Sequence, residues 1–136
     1  MLHVEHIGIA VKDLTNSIPL FEKLLNTPCY KTETVKSESV KTAFFNTGDS
    51  KIELVENDGP EGVISRFIDK KGEGIHHIAF EVKDIRAEMA RLEGEGFVLL
   101  NKEPKEGADN KLVCFLHPKN TNGVLIELCM ERELVE

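Results

Sequence analysis

Two histidines and two glutamates stand in matching frames. His6 opens His6-Ile7-Gly8-Ile9-Ala10-Val11-Lys12-Asp13-Leu14, and His77 opens His77-Ile78-Ala79-Phe80-Glu81-Val82-Lys83-Asp84-Ile85, at an offset of 71 residues. His, Ile, Val, Lys and Asp are identical in place. Glu53, in Ile52-Glu53-Leu54, has its counterpart 74 residues later in Glu127, in Ile126-Glu127-Leu128. Two nearly equal offsets describe a duplicated unit of about half the chain. Each copy supplies one imidazole and one carboxylate, and two copies around a pseudo-two-fold axis would assemble two of each. That set is a candidate metal site. Imidazole suits Zn, Co, Ni, Fe and Mn, and the two carboxylates bias the set toward harder or octahedral ions. No cysteine belongs to it, which disfavours a closed structural zinc site. An open divalent ion polarises a carbonyl and stabilises an enolate, so the four residues point to metal-dependent carbonyl chemistry. Taken singly, each would read as an ordinary strand residue; the repeat reverses that reading.

The elements that position them follow from periodicity. His3 to Val11 alternates, with Ile7, Ile9 and Val11 on one face and His6, Gly8 and Ala10 on the other, which is the strand signal. Small residues beside His6 leave space for a ligand. A helix follows, capped from the Asp13-Thr15-Asn16-Ser17 group, with an expected stripe of Ile18, Phe21, Leu24 and Leu25. Pro19 means that it starts near Ser17 or begins at Leu14 with a kink, and Asn26-Thr27-Pro28 ends it. Strands are expected at Tyr30 to Val35, Val40 to Asn46 and Lys51 to Val55, with a hairpin turn at Gly48-Asp49-Ser50. Ile52 and Leu54 then face the helix and Glu53 the opposite side, with His6. Val63, Ile64, Phe67 and Ile68 suggest a short amphipathic connecting helix closed by Lys70-Lys71-Gly72.

The second unit starts at Ile75. Alternation aligns His77 with His6 and sends His76 to the helix side. Asp84 caps a helix carrying Ile85, Met89 and Leu92, stopped by Gly94 and Gly96. Phe97 to Leu100, Leu112 to Leu116 and Gly123 to Met130 supply the remaining strands, with turns at Gly107 to Asn110 and His117 to Gly123. Glu131 to Glu136 reads as a charged, frayed tail. The expected fold class is α+β: two tandem βαβββ modules forming a cupped eight-stranded mixed sheet around a metal site. Module 1 covers about residues 1–57, the connector 58–74 and module 2 about 75–130, within a single domain, 1–136.

A chain of 136 residues buries a core without disulfides. Its net charge of −7 argues against general affinity for nucleic acid or anionic membranes. Cys29, Cys114 and Cys129 are odd in number and form no C-x-x-C, so they read as reduced, mostly buried thiols. No signal peptide is expected ahead of the first strand, and no apolar run approaches the ~18 residues of a membrane span. The expectation is a cytoplasmic protein, or a mitochondrial matrix enzyme if eukaryotic. Exposed strand edges suggest a homodimer.

Three stretches carry a resemblance: Glu5-His6-Ile7-Gly8-Ile9-Ala10-Val11; Lys71-Gly72-Glu73-Gly74-Ile75-His76-His77-Ile78-Ala79-Phe80; and Phe115-Leu116-His117-Pro118-Lys119 with Gly123-Val124-Leu125-Ile126-Glu127-Leu128. They resemble the vicinal oxygen chelate superfamily, and within it the methylmalonyl-CoA epimerase branch. The first motif is shared widely; the second and third together are specific to that branch. The resemblance implies metal ligands at His6, Glu53, His77 and Glu127, agreeing with the repeat, and one divalent ion. Co2+ is the first expectation, with Mn2+, Ni2+ or Zn2+ as alternatives. It implies an acyl-CoA substrate and inversion at the carbon between thioester and carboxylate, by α-proton abstraction and enolate stabilisation. Some members carry a second glutamate in the third strand of the first module, whereas Val40-Lys41-Thr42-Ala43-Phe44-Phe45 has no acid. Glu38, at the strand's entrance, is its expected substitute, and Glu127 serves as base and ligand. Asn120 and Asn122 stand where the branch often shows Ser and Gly. Lys102, Lys105, Lys111 and Lys119 could meet the coenzyme A phosphates, although solvated lysines are the plainer reading. Other functions on the same scaffold are a lactoylglutathione lyase-like isomerase and a non-catalytic metal-chelating resistance or binding protein. An extradiol dioxygenase needs two His and one carboxylate, which four candidate ligands disfavour.

Overall fold

A computed structural model describes residues 1–132 of the chain. The elements run β1 (His3–Ala10), α1 (Leu14–Leu25), β2 (Lys31–Val35), β3 (Val40–Thr47), β4 (Ser50–Asn57), α2 (Val63–Lys71), β5 (Gly74–Glu81), α3 (Ile85–Gly94), β6 (Lys105–Glu106), β7 (Lys111–Leu116) and β8 (Ile126–Glu131). The fold class is the expected α+β, a β-α-β-β-β order used twice, with an eight-stranded mixed sheet and three helices. Two compact units appear, His6–His76 and Met1–Glu5 with His77–Glu136. The first five residues therefore group with the later repeat.

In the His6–His76 unit the strand order is β2-β3-β4-β1, antiparallel except for the parallel β1–β4 pair. A parallel neighbour needs a crossover, and α1 lies within it. The Asp13 carboxylate caps α1, accepting from Thr15 N at 2.8 Å and from Asn16 Nδ2 at 3.1 Å. The helix begins at Leu14 and carries Pro19 inside it. Its core-facing stripe is the half-buried Leu14, Ile18, Phe21 and Leu25, packed against the buried Val11, Ala43, Phe45 and Leu54. Leu24, expected in that stripe, is 70% exposed, because it lies about 90° round the helix from the centre of the other four. Likewise Val63 of α2 is exposed, while Ile64 is buried. Thr47 pairs with Ser50 across a two-residue Gly48-Asp49 turn, with Gly48 at φ 83°, the conformation a tight hairpin requires of its first residue.

The other unit repeats the plan. Its strand order is β5-β8-β7-β6, again antiparallel except for the parallel β5–β8 pair. Asp84 caps α3 by accepting from Ala87 N at 3.1 Å, and Ile85, Met89 and Leu92 are buried with Val82, Cys114, Leu116 and Leu128.

Two expectations fail here. Phe97 to Leu100 forms no strand; only Leu99 bridges Leu116, and β6 lies later, at Lys105–Glu106. Beyond the bridge the Asn101 side chain takes over the pairing, accepting from Phe115 N at 3.0 Å and donating to Val113 O at 3.1 Å. Its amide thus serves β7 as a neighbouring main chain would. Glu131, expected in a frayed tail, instead ends β8 and accepts from Lys111 Nζ at 3.1 Å. The rest of that tail, 133–136, lies outside the described residues. Among the described residues no helix is long and apolar enough to cross a membrane.

Candidate metal centre

Each unit holds one His–Glu pair, built the same way. In β1 and β4, Gly8 is the direct partner of Glu53, and His6 stands two residues before Gly8 on the same face. In β5 and β8, Ala79 partners Glu127, and His77 stands two residues before Ala79. The small residue opposite the glutamate leaves its carboxylate room to turn along the strand toward the imidazole. His6 Nε2 lies 3.5 Å from Glu53 Oε1, and His77 Nε2 lies 3.5 Å from Glu127 Oε1, all four side chains being 6–7% exposed. The repeat read from sequence therefore recurs as two matching local geometries, one per unit.

The 3.5 Å separation decides what these pairs suit. An N–H···O hydrogen bond is normally ~2.7–3.2 Å, so the two atoms stand slightly apart. Two donors each about 2.1 Å from one ion, at octahedral or tetrahedral angles, stand roughly 3.0–3.4 Å apart. Buried imidazole nitrogen and carboxylate oxygen at this spacing fit a divalent cation, and the donor set has the hardness expected from the sequence.

An aromatic ring backs each glutamate. Phe44 is the direct partner of Glu53 and Phe115 that of Glu127. Phe115 stands edge-on to His77, with centroids 6.1 Å apart. Phe44 is 1% exposed and carries Tyr30 against its ring at 6.1 Å. These phenylalanines were not singled out from sequence, although they too sit 71 residues apart. Cys129, two residues after Glu127 on the same face, is buried with Ala79, Val113 and Phe115. Burial pushes its thiol well up, and the Glu127 and Glu5 carboxylates add to the shift, so it stays a neutral packing group.

The other predicted residues fall as follows. His76 points away from the His77 side, its ring edge-on to Phe67 of α2 at 4.9 Å. Glu38 ends a short 3-10 turn, Lys36–Glu38, between β2 and β3; it is half-buried with Oε1 shielded from solvent. Lys111 leaves the group of lysines suggested for phosphate: it is 3% exposed and bonded to Glu131. Lys102 and Lys119 are exposed, whereas Lys105 is half-buried. Asn122 takes φ 55°, the left-handed region that glycine favours and asparagine tolerates, so it can stand where the resembling proteins often show Gly.

Comparison with known proteins places these features in context. A family model described as Glyoxalase/Bleomycin resistance protein/Dioxygenase superfamily matches residues 5–115. The uncharacterized Bacillus subtilis protein YqjC is 36% identical over 129 residues, 95% of this chain and 92% of the relative. The ethylmalonyl-CoA/methylmalonyl-CoA epimerase of Cereibacter sphaeroides is 39% identical over 127 residues, 92% of this chain and 95% of the relative. A solved structure of a variant Streptomyces coelicolor methylmalonyl-CoA epimerase, in complex with 2-nitronate-propionyl-CoA, has a TM-score of 0.92 at 30% identity, covering 100% of this chain and 99% of that one.

Proposed function

Because the chain belongs to the Glyoxalase/Bleomycin resistance protein/Dioxygenase superfamily, in its methylmalonyl-CoA epimerase branch, we propose that it interconverts (R)- and (S)-methylmalonyl-CoA. The observation that carries the reading is the matched His–Glu pair, repeated at the same register, burial and 3.5 Å spacing. The names of the relatives supply the substrate class.

On this reading His6, Glu53, His77 and Glu127 would be the ligands of one divalent ion, Co2+ first among Co2+, Mn2+, Ni2+ and Zn2+. Such an ion, when bound, supplies Lewis-acid polarisation of the substrate carbonyl. The chain's own residues move the proton. Inversion at one carbon without redox change needs the α-proton taken from one face and a proton returned on the other. Glu127 is the base on one face, and Glu38 the partner acid on the other. The low exposure of Glu127 keeps bulk water from competing for that proton. The working form is a cytoplasmic homodimer acting as a single-domain enzyme.

The test is solvent exchange. Purified protein and methylmalonyl-CoA in heavy water should give α-deuterated product of both configurations, read by mass spectrometry and chiral chromatography. Glu127→Gln keeps an oxygen donor but loses basicity, so exchange should fall by ~10²–10⁴-fold in metal-loaded protein. Near-normal exchange by that variant would remove Glu127 as the base. No exchange by the unaltered, metal-loaded protein would remove the epimerase reading.

A further inference from the structure

His117, between β7 and β8, has no part in the chemistry above, yet its ring is engaged. It is the N-cap of a three-residue 3-10 turn, Pro118–Asn120, with Pro118 in the first position, where a missing N–H is no loss. The imidazole Nδ1 accepts from Lys119 N at 3.0 Å, the bond that a capping amide or carboxylate usually accepts. The His117 main chain is anchored as well, its N donating to Val98 O at 2.8 Å. The turn then folds on itself. Pro118 O accepts from Thr121 N at 3.1 Å and from Gly123 N at 2.9 Å, and Thr121 Oγ1 donates to Val124 O. Directly beyond, Leu125 O accepts from Ile78 N at 3.1 Å, one residue after His77 and two before Glu127. All of these groups belong to one unit. A run of bonds thus leads from the His117 ring to the two strands that carry His77 and Glu127.

Only a neutral imidazole makes the first of these bonds. An accepting Nδ1 requires the proton on Nε2, and an imidazolium has two donors and no acceptor. Imidazole is the side chain whose charge ordinarily changes between about pH 5 and 8. The charged residue of the turn is Lys119, which is exposed; residues 97–100 and 123–126, on either side of it, carry no charged side chain. These segments therefore offer no carboxylate to replace the ring as acceptor for Lys119 N. We propose that His117 is a positioning residue: its neutral ring closes the turn that sets the entry of β8, and protonation opens it. Acid then slows the reaction through a group that is neither ligand nor base. The effect on turnover rests on the epimerase reading; the opening of the turn does not.

The experiment compares the unaltered protein, metal-loaded, with His117→Asn, whose amide oxygen caps at every pH, and His117→Ala, which caps at none. Solvent exchange of the Lys119 amide, corrected for its intrinsic pH dependence, is followed by nuclear magnetic resonance in the Zn2+-loaded proteins. In the unaltered protein Lys119 protection should fall about fivefold from pH 8 to pH 5.5, the factor to which a cap's usual contribution corresponds. It should stay constant in His117→Asn and be low throughout in His117→Ala. kcat/KM for methylmalonyl-CoA is measured over the same range. Its ratio in His117→Asn to the unaltered protein should be near one at pH 8 and rise toward about fivefold at pH 5.5. The metal ligands and the base titrate in both proteins and cancel from this ratio. His117→Ala should fall below the unaltered protein at pH 8 and converge with it at pH 5.5. A ratio that stays flat overturns the proposal, as does a His117→Ala protein equal to the unaltered one at pH 8, or Lys119 protection that ignores pH. An unaltered protein that turns over no methylmalonyl-CoA removes the epimerase reading and the effect on turnover with it; the three amide protections then uphold or overturn the closing of the turn by themselves.

Discussion

Replacing Asn101 with Ala removes three hydrogen bonds at once. Its Nδ2 donates to Val113 O at 3.1 Å and to Glu103 O at 2.7 Å, and its Oδ1 accepts from Phe115 N at 3.0 Å. Each bond contributes about 1 kcal/mol net, and a shielded group left unmade costs about 1–3 kcal/mol. The Glu103 carbonyl belongs to an exposed residue and finds water. The two β7 groups are partly buried and cost more, so the variant should be destabilised by about 3 kcal/mol. For a chain of this size that is a melting temperature lowered by roughly 10 °C. Urea unfolding followed by circular dichroism should show a lower midpoint at unchanged slope, since the surface exposed on unfolding is nearly the same. Asn101→Asp keeps the acceptor for Phe115 N but turns a carboxylate toward two carbonyl oxygens, so it should be at least as unstable. An Asn101→Ala protein within about 0.5 kcal/mol of the parent would refute the argument. The main chain of Phe97 to Leu100 would then be pairing with β7 unaided.

Neighbouring histidines should behave oppositely. His77→Ala should strip most of the divalent metal measured by elemental analysis of the purified protein, while His76→Ala, whose ring packs on Phe67, should keep it. The reverse result would shift the strand register by one. The three cysteines should separate by reactivity. Burial pushes the Cys114 thiol up to about 11 and Cys129 higher still, so at pH 8 only ~10⁻³ or less of either is thiolate. A disulfide reagent should titrate the half-exposed Cys29 quickly, and Cys114 and Cys129 only after unfolding in guanidinium. Equal rates for all three in the native protein would contradict the burial.

The parts legible in sequence are those written in a repeat or a period. His6 and His77, Glu53 and Glu127, and the Asp84 cap with Ile85, Met89 and Leu92 each declare themselves through spacing; the structure sets each His 3.5 Å from its Glu and buries the three apolar residues of the helix that Asp84 caps. What escaped depends on partners far apart in the chain. Nothing local in Phe97-Val98-Leu99-Leu100 says that main-chain pairing will stop at Leu100 and that a side chain, Asn101, will continue it to Val113, twelve residues on. Lys111 reads as a surface cation until its strand partner Glu131 is known. Leu24 and Val63 fit an apolar pattern but sit at the edge of their helical stripes, where counting apolar residues cannot tell inside from outside.

The grouping of Met1–Glu5 with His77–Glu136 has a consequence for how the chain folds. Leu2 N donates to Glu81 O at 2.8 Å, and the Met1 amino group lies 3.7 Å from Glu88 Oε2. Residues made early in synthesis thus wait for partners that emerge much later. Pairings of such long sequence separation must meet the loop-closure cost before they stabilise anything, which slows folding. The later repeat should acquire full protection of its amides only after the earlier one. Its last protected amide in pulse-labelled hydrogen exchange should then be that of Leu2, which donates to Glu81 O. A gene split in the connector would give two polypeptides that are not equivalent halves. The piece beginning at residue 75 would lack a segment that only the other piece carries, so strand exchange in trans would be needed to complete it.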